Sequence, residues 1–404
     1  MPLEKTLINL RKVGLSNLEN EIPYITDEPK IPNFITLPNK VAQDKYSCEG
    51  NHGQGYHSTQ TLARIKSIAE CLERLCLDNP INSNLTSHQF RKDNAFIDPR
   101  MFYQSKEQDL EAARFNEYLW IEVIDLINSK IRKIPAQCVF LSGPFNNEFQ
   151  LKKEEISTGA ALGEIGTDRA FNSGLLEVIE RDACIYSYLT KRNIPRIIGF
   201  DGGIKKLEDY LRRYNLEAFV FNATSDLKVP TAISIVVDRT GIGPAVDVGS
   251  ASVFNYEDAI YKSLLESIQC RRYFRLFNDK KFQNRPPKED EIFSLDHRFV
   301  YWHSLERIND LSFWLEKKNV IPYSSLKSES QNPEKILERL KRKNFNVFVA
   351  DITLPEIKRE GFETKKVIIP ELHPLYLDER AKVLYSVHYG TIKDDLTLKP
   401  HPLT

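Results

Sequence analysis

Three stretches far apart in the chain repeat one helical pattern, and few folds can absorb it. "KSIAECLER" (66–74), "SGLLEVIER" (173–181) and "KSLLESIQCR" (262–271) each set a polar residue four positions before a Glu and a Glu or Gln three positions after it. In the first, Leu62, Ile65, Ala69, Leu72 and Cys76 recur at helical steps and make an apolar stripe, while Lys66, Glu70 and Glu73 fall together on another face. The second begins near Thr167–Asp168, residue types that cap helix starts, and puts Ser173, Glu177 and Glu180 at the same offsets. The third repeats them with Lys262, Glu266 and Gln269. An arginine follows each time: Arg74, Arg181 and Arg271.

One Glu-x-x-Glu-Arg helix is ordinarily a solvated face with an ion pair worth a few tenths of a kcal/mol. Three in matching register ask for more. Carboxylates at these offsets sit about 5–6 Å apart at Cβ and repel, so helices that converge them need a counter-charge. Divalent cations supply it. Magnesium in particular takes a few carboxylates, keeps some waters and shares the rest of its shell with phosphate oxygens. Lys66, Arg74, Arg181 and Arg271 would meet those phosphates directly. Two such helices face to face make a cradle for a metal–triphosphate. A di-iron carboxylate bundle would need His at the i+3 position, where this chain has Glu73, Glu180 and Gln269.

Around these helices, helical and strand patterns alternate. Strand-like runs are 134–141, 217–224, 229–238, 345–352 and 365–370; helical patterns cover about 59–78, 107–116, 167–190, 203–214, 256–277, 304–318 and 333–343. The fold class expected is α+β (mixed α/β): sheets covered by helices, with three quasi-repeated helical units forming a nucleotide site. We read 1–404 as a single composite domain with sub-units of approximately 1–85, 86–200 and 201–404. The charged, proline-bearing segment 277–291 reads as an exposed excursion. "NHGQGYHST" (51–59) reads as a turn before a helix, a place where backbone N–H groups can approach phosphate, although it lacks the Gly-Lys-Ser/Thr of a P-loop. "STGAALGEIGTD" (157–168) superficially resembles a dinucleotide loop but has no matching βαβ context.

Composition excludes some classes. Lys plus Arg and Asp plus Glu are both 56, so no net charge favours a broad nucleic-acid or anionic-membrane footprint. No apolar run approaches the roughly 18 residues that span a bilayer, and the start "MPLEKTLINLRK" lacks a signal-peptide core. The six cysteines are scattered without C-x-x-C spacing and read as reduced thiols, which places the protein in the cytoplasm. No H-x-x-x-H pair or G-x-S-x-G elbow occurs, so catalytic zinc and a hydrolase serine are not expected.

Taken together, "GQGYHSTQTLARIKSIAECLER" (53–74), "STGAALGEIGTDRAFNSGLLEVIERDA" (157–183) and "EDAIYKSLLESIQCRR" (257–272) resemble, in order and spacing, the three signatures of the YcaO family. The resemblance implies ATP- and Mg²⁺-dependent activation of a peptide-backbone amide. A nucleophile adds to the carbonyl, the oxyanion takes the γ-phosphoryl group of ATP, and phosphate then leaves. External sulfide gives a thioamide; a neighbouring Cys, Ser or Thr gives an azoline. Carried over, Glu70, Glu73, Glu177 and Glu180 would hold magnesium, with Arg181 beside them in the chemistry. Lys5, Thr6, Lys66, Ser67, Arg74, Ser173, Arg181, Glu266 and Arg271 would contact the nucleotide. The chain departs from the family at Lys66, where serine is usual, and at Glu164 and Arg169. Azoline-forming members often end in Pro-x-Pro-x-Pro; this tail, "LKPHPLT", has only Pro400 and Pro402. The layout resembles stand-alone archaeal members linked to thioamide formation. The expected activity is therefore thioamide formation on a peptide or protein substrate, with a sulfide donor, a TfuA-like or leader-recognition partner, and a homodimer. The alternatives are an azoline-forming cyclodehydratase and a non-catalytic partner that keeps the scaffold.

Overall fold

The computed structural model describes residues 3–48, 50–80, 84–103, 111–151, 158–277, 286–316, 318–326 and 330–403. In chain order the strands are β1 (Asn20–Glu21), β2 (Asn33–Thr36), β3 (Gly53–Tyr56), β4 (Thr86–Gln89), β5 (Glu117–Asp125), β6 (Lys130–Pro135), β7 (Thr158–Glu164), β8 (Arg196–Ile198), β9 (Leu216–Asn222), β10 (Thr231–Asp238), β11 (Val246–Ser252), β12 (Val320–Pro322), β13 (Phe348–Asp351) and β14 (Phe362–Ile368). Four helices matter for the site: α1 (Leu3–Lys12), α2 (Gln60–Leu77), α3 (Arg169–Leu189) and α4 (Tyr256–Glu266).

The strands form three main sheets: β1-β2-β3; β11-β10-β9-β8-β12; and β4-β5-β13-β14-β7 with β6 also on β5. Pairing is antiparallel except between β12 and β8. Hence β3, β7 and β11 each lie at the end of a sheet among the described residues. An open edge strand exposes unpaired amides that a fold must cover. Here each edge is covered by the helix that follows it in the chain.

The sequence shows why the covering is tight. In each unit the strand carries a glycine where the helix backbone presses closest. A Cβ on Gly53 would lie 2.0 Å from Ser67 O, one on Gly159 2.1 Å from Gly174 O, and one on Gly249 2.5 Å from Ser263 O. The helix residue at the contact is also small each time, Ser67, Gly174 and Ser263, and each stands three positions before the first Glu of its motif. Two of them bond to the neighbouring strand: Ser67 Oγ lies 2.8 Å from Thr36 Oγ1, and Ser263 Oγ 2.6 Å from Ser234 Oγ. The third is glycine, and its place is filled by Val367.

Helix α3 runs between two apolar cores. Leu175, Val178 and Ile179 join one with the five-stranded sheet, and Ile185, Tyr188 and Leu189 join the other with Trp314 and Tyr376. A third core, around Ile68, Leu72, Leu75, Trp120 and Phe348, lies under α2. The buried face of α2 is Ala63, Ser67, Ile68, Cys71, Leu72, Leu75 and Cys76. Leu62, Ile65 and Ala69, expected on that stripe, are only half-buried because the small residues face the strand instead.

Several expected elements differ. The glycine "turn" at 51–59 is β3, and "TGAALGE" is β7 rather than a loop. The run 134–141 leaves the sheet at Pro135, which cannot extend a hydrogen-bonded ladder, and continues as a 3₁₀ turn whose Val139 and Phe140 are core residues. The helix expected over 256–277 breaks after Glu266 and resumes at Arg271. The helix over 304–318 is two short turns, Arg307–Asp310 and Ser312–Leu315. Part of the 107–116 pattern and most of the 277–291 excursion lie outside the described residues. No described helix is long and apolar enough to cross a membrane.

Candidate active site

The strand–helix units do more than repeat; they cap one another. The first Glu of each helix accepts a hydrogen bond from the backbone N–H just after the packing glycine of its own strand. Gln54 N donates to Glu70 Oε2 at 3.0 Å, Ala160 N to Glu177 Oε2 at 2.7 Å, and Ser250 N to Glu266. These carboxylates satisfy the edge amides that would otherwise be orphaned. The second Glu reaches toward the next unit. Glu180 accepts from Ser252 N at 2.9 Å and Ser250 Oγ at 2.6 Å, both on β11, while Glu73 lies under the field of Glu177. The third unit closes back on the first, because Asn33 Nδ2 and Gln54 Nε2 donate to the Gln269 carbonyl at 2.7 and 3.2 Å.

At the centre of this ring is a cavity of about 240 Å³. Its lining draws on all three units: Tyr56 and Lys66; Ser173, Glu177 and Glu180; Ser250, Lys262 and Glu266 among them. Two larger hollows, about 620 and 480 Å³, lie around Cys48 and Asp78 beyond the end of α2, and no acidic cluster faces them. Size therefore does not locate the site; the convergence of charge does.

The carboxylates are recessed. Their outer surfaces are half-exposed through the cleft, yet protein surrounds them on the other sides. Burial pushes the Glu73 carboxyl well above its usual range, with Glu177 and Glu70 adding repulsion. Burial does the same to Glu266, with Glu180 as the strongest like charge, and Glu180 is raised although Ser250 and Ser252 partly offset the loss of water. Two repelling pairs result, Glu73 beside Glu177 and Glu180 beside Glu266. Glu73 has no hydrogen-bond donor among the described residues. An all-oxygen set of this kind fits a hard divalent cation. No three such groups among the described residues are gathered tightly enough to hold an ion unaided. An ion here would complete its shell with water and ligand oxygens, which is the habit of magnesium.

The arginines behave differently from expectation. Arg74 pairs with Glu70 at 2.7 Å and Arg181 with Glu177 at 3.0 Å, each four residues after its Glu. In the third unit that position is Cys270, and Arg271 lies one residue further on, past the break that follows Glu266. Arg271 is consequently buried away from the cavity, bound by Glu28 at 3.1 Å, Asp238 at 2.8 Å and Asp247 at 2.5 Å. Ser67 is buried in the strand–helix contact and also does not line the cavity. On α1, Lys5 is exposed and Thr6 Oγ1 donates to Glu164 Oε1 at 2.9 Å; neither lines the cavity. Of the expected residues the cavity lining thus gathers Lys66, Ser173, Glu177, Glu180 and Glu266, with Glu70, Glu73, Arg74 and Arg181 behind or beside it. Sequence reasoning passed over β11. The signal was present: Gly249 and Ser250 precede Glu266 by the same spacing at which Gly53 and Gln54 precede Glu70.

The mixed α+β fold is shared with solved heterocyclases. A heterocyclase solved in complex with substrate and cofactor superposes with a TM-score of 0.74 at 13% identity; the match covers 93% of this chain and 52% of that one. The chain thus spans about half the length of that heterocyclase. YcaO from Methanopyrus kandleri, solved with AMPPCP and Mg²⁺, superposes at 0.65 with 18% identity over 98% of this chain and 96% of the other. A chain of the E. coli microcin synthetase McbBCD complex superposes at 0.62 with 15% identity, covering 88% of each. Among curated protein sequences none matches. The family model described as YcaO cyclodehydratase, ATP- and Mg²⁺-binding, matches residues 54–373, and the chain belongs to the YcaO family.

Proposed function

We propose that this chain uses ATP and Mg²⁺ to O-phosphorylate a peptide-backbone amide, with external sulfide as the nucleophile and a backbone thioamide as the product. The observation that carries the reading is the ring of three capped units, which brings two repelling carboxylate pairs into one small, open cleft. Bound Mg²⁺ would neutralise those pairs and draw the triphosphate oxygens in. Glu73, Glu177 and Glu180 are the residues to hold it, with Glu70 behind them and Glu266 beside Glu180. Arg74 and Arg181 hold Glu70 and Glu177 in place through their ion pairs.

The chemistry needs positioning and charge neutralisation more than a protein nucleophile. Hydrosulfide adds to the carbonyl carbon, and the π-electron pair moves to oxygen. That oxygen attacks the γ-phosphorus as ADP departs. Loss of phosphate and of the S–H proton leaves C=S in place of C=O. The cavity is smaller than the roughly 300 Å³ at which ligand pockets begin, so it suits the phosphate end of a nucleotide, with the rest lying along the open cleft.

Tyr188 OH donates to Lys399 O at 3.0 Å, Trp302 Nε1 to Pro400 O at 3.2 Å, and His401 is fully buried. Tyr188 stands eight residues past Glu180 on α3, about 12 Å along the helix axis. Pro400 and His401 are therefore anchored at the far end of α3. A TfuA-like or leader-recognition partner would present the substrate. The test is mass spectrometry of a candidate peptide incubated with Mg-ATP, with and without sulfide. Exchange of one oxygen for sulfur supports the reading. Loss of one water without sulfide makes the chain an azoline-forming cyclodehydratase. Absence of any change or phosphate release, with every partner supplied, makes it a non-catalytic scaffold.

A further inference from the structure

Every arginine that the motifs offer to a phosphate already has a carboxylate partner: Arg74 with Glu70, Arg181 with Glu177, and Arg271 with three acids. The lysines of the cavity do not. Lys66 on α2 and Lys262 on α4 stand at the same offset in the first and third units, and both line the cavity. Each has a glutamate four residues on, the usual helical partner for a lysine. Those glutamates bond other groups: Glu70 holds Gln54 N and Arg74, and Glu266, though it lines the cavity too, holds Ser250 N. Neither lysine forms an ion pair among the described residues, and the one bond Lys66 makes is a long 3.4 Å contact to Tyr56 O.

The two ammonium groups also act on each other. Burial and then Lys262 lower the Lys66 ammonium, and burial followed by both lysines lowers His57 at the rim. Two like charges from separate helices thus share a cleft, and although Glu266 and Glu70 pull on Lys66, neither lysine has a carboxylate in ion-pair contact among the described residues. Nothing in the packing requires them, since both side chains are exposed to the cleft. An anion with several oxygens relieves the repulsion.

We propose that Lys66 and Lys262 form a two-lysine clamp on the phosphate oxygens of the nucleotide, in the same cavity as the carboxylates that take the metal. This rests on the ATP reading above and adds to it the third unit's part in binding. Ser173, the residue at the same offset in the second unit, is neutral, so the positive charge of the cavity comes from the first and third units.

The test uses calorimetry of the full chain with three probes: Mg-AMPPCP, magnesium tripolyphosphate and adenosine. Removing a charged hydrogen-bond donor should weaken AMPPCP and tripolyphosphate about 10-fold or more for Lys66→Gln or Lys262→Gln, and about 100-fold for the double variant. Adenosine binding should stay unchanged, and Lys262→Arg should hold AMPPCP within about 3-fold of wild type because the charge is kept. Melting of each unliganded variant at or above the wild-type temperature excludes misfolding as the cause. If Lys262→Gln binds AMPPCP as wild type does while Glu177→Ala does not bind it, the clamp is wrong and the ATP site stands. If adenosine and tripolyphosphate weaken alike, the lysines serve the fold, and the clamp is again wrong. If the wild-type chain binds none of the nucleotide probes, the ATP reading itself falls, and the clamp with it.

Discussion

Gly55 offers the sharpest test of how the site is built. It sits on β3, and a Cβ there would meet Ala63 O at 1.8 Å and Ser67 N at 2.5 Å. Both are backbone atoms, so no side chain can swing aside. For Gly55→Ala, the gap to Ala63 O must open from 1.8 to at least 3.0 Å, so α2 must withdraw from β3 by more than 1 Å. Overpacking of one methyl into a filled contact costs about 1–3 kcal/mol, and a rigid backbone contact belongs at the upper end. The substitution also stiffens the unfolded chain, which returns about 0.4–1 kcal/mol, so a net loss of about 2 kcal/mol is expected. Gly203 is the control, because it has nothing within 4 Å and no left-handed φ. Gly203→Ala should be neutral or slightly stabilising. Urea unfolding measures both. The same withdrawal moves Glu70 and Glu73 with α2, and a 1 Å error at a reacting centre can cost about 100-fold in rate. A Gly55→Ala protein as stable as wild type would refute the strand–helix contact and restore the turn reading of this glycine pair.

Three other outcomes follow from named contacts. Arg271→Met leaves Asp238 and Asp247 buried without their cation, while Glu28 keeps Arg275 at 2.7 Å, and should cost roughly 3–5 kcal/mol by chemical denaturation; burial already pushes the Asp247 carboxyl up to about 7 against the pull of Arg271. Glu266→Gln keeps an oxygen for Ser250 N but removes one charge from a repelling pair, so the unliganded protein should melt slightly higher, by under about 1 kcal/mol because the cleft is open to water, while Mg-AMPPCP binding weakens in calorimetry. His388 bridges Asp182 and Asp226 at 3.0 and 2.9 Å; burial opposes its charged form, but the two carboxylates outweigh burial and raise its pKa. Its stabilising contribution is therefore fully present below the unfolded value of about 6.5 and is lost as pH rises through the raised one, so thermal stability should fall over that window and Gln in its place should flatten the curve.

How far the sequence reached depends on what each signal encodes. The helix spacings of α2 and α3 were readable to within two residues because a 3.6-residue apolar period specifies them locally; the expected cap residue Asp168 makes no side-chain capping bond. Strands β3 and β7 were hidden because their glycines, chosen so that a helix can approach, look like loop punctuation when no neighbour is in view. The break after Glu266 was hidden because Ser267, Ile268 and Gln269 continue a helical pattern, and the turn there comes from tertiary bonds to Asn33 and Gln54 more than 200 residues away. Arg271 looked like a phosphate ligand because its offset differs from that of Arg74 by one residue. The helix breaks after Glu266, so Arg271 opens the next helical segment and its side chain enters a buried cage instead of the cleft.

The glutamates join these two halves. An edge strand needs its outward amides satisfied, and a metal–phosphate site needs carboxylates aimed at one point; the first Glu of each unit meets both needs with a single side chain. In Glu70 and Glu177 one oxygen is fixed by the strand amide and the other by the arginine four residues on, so the carboxylate is oriented by its neighbours rather than by rotamer preference. The second Glu then ties the next unit, as Glu180 does to Ser250 and Ser252. Mutating a first Glu should therefore damage binding by loss of charge and by loss of aim together, whereas Gln in its place should separate the two. Glu177→Gln can still accept from Ala160 N but offers no charge. If Glu177→Gln and Glu177→Ala lose Mg-AMPPCP affinity equally but differ in stability, the amide bond serves the fold and the charge serves the ligand. If the two are equally stable, the cap contributes nothing and the edge amide of β7 is satisfied some other way.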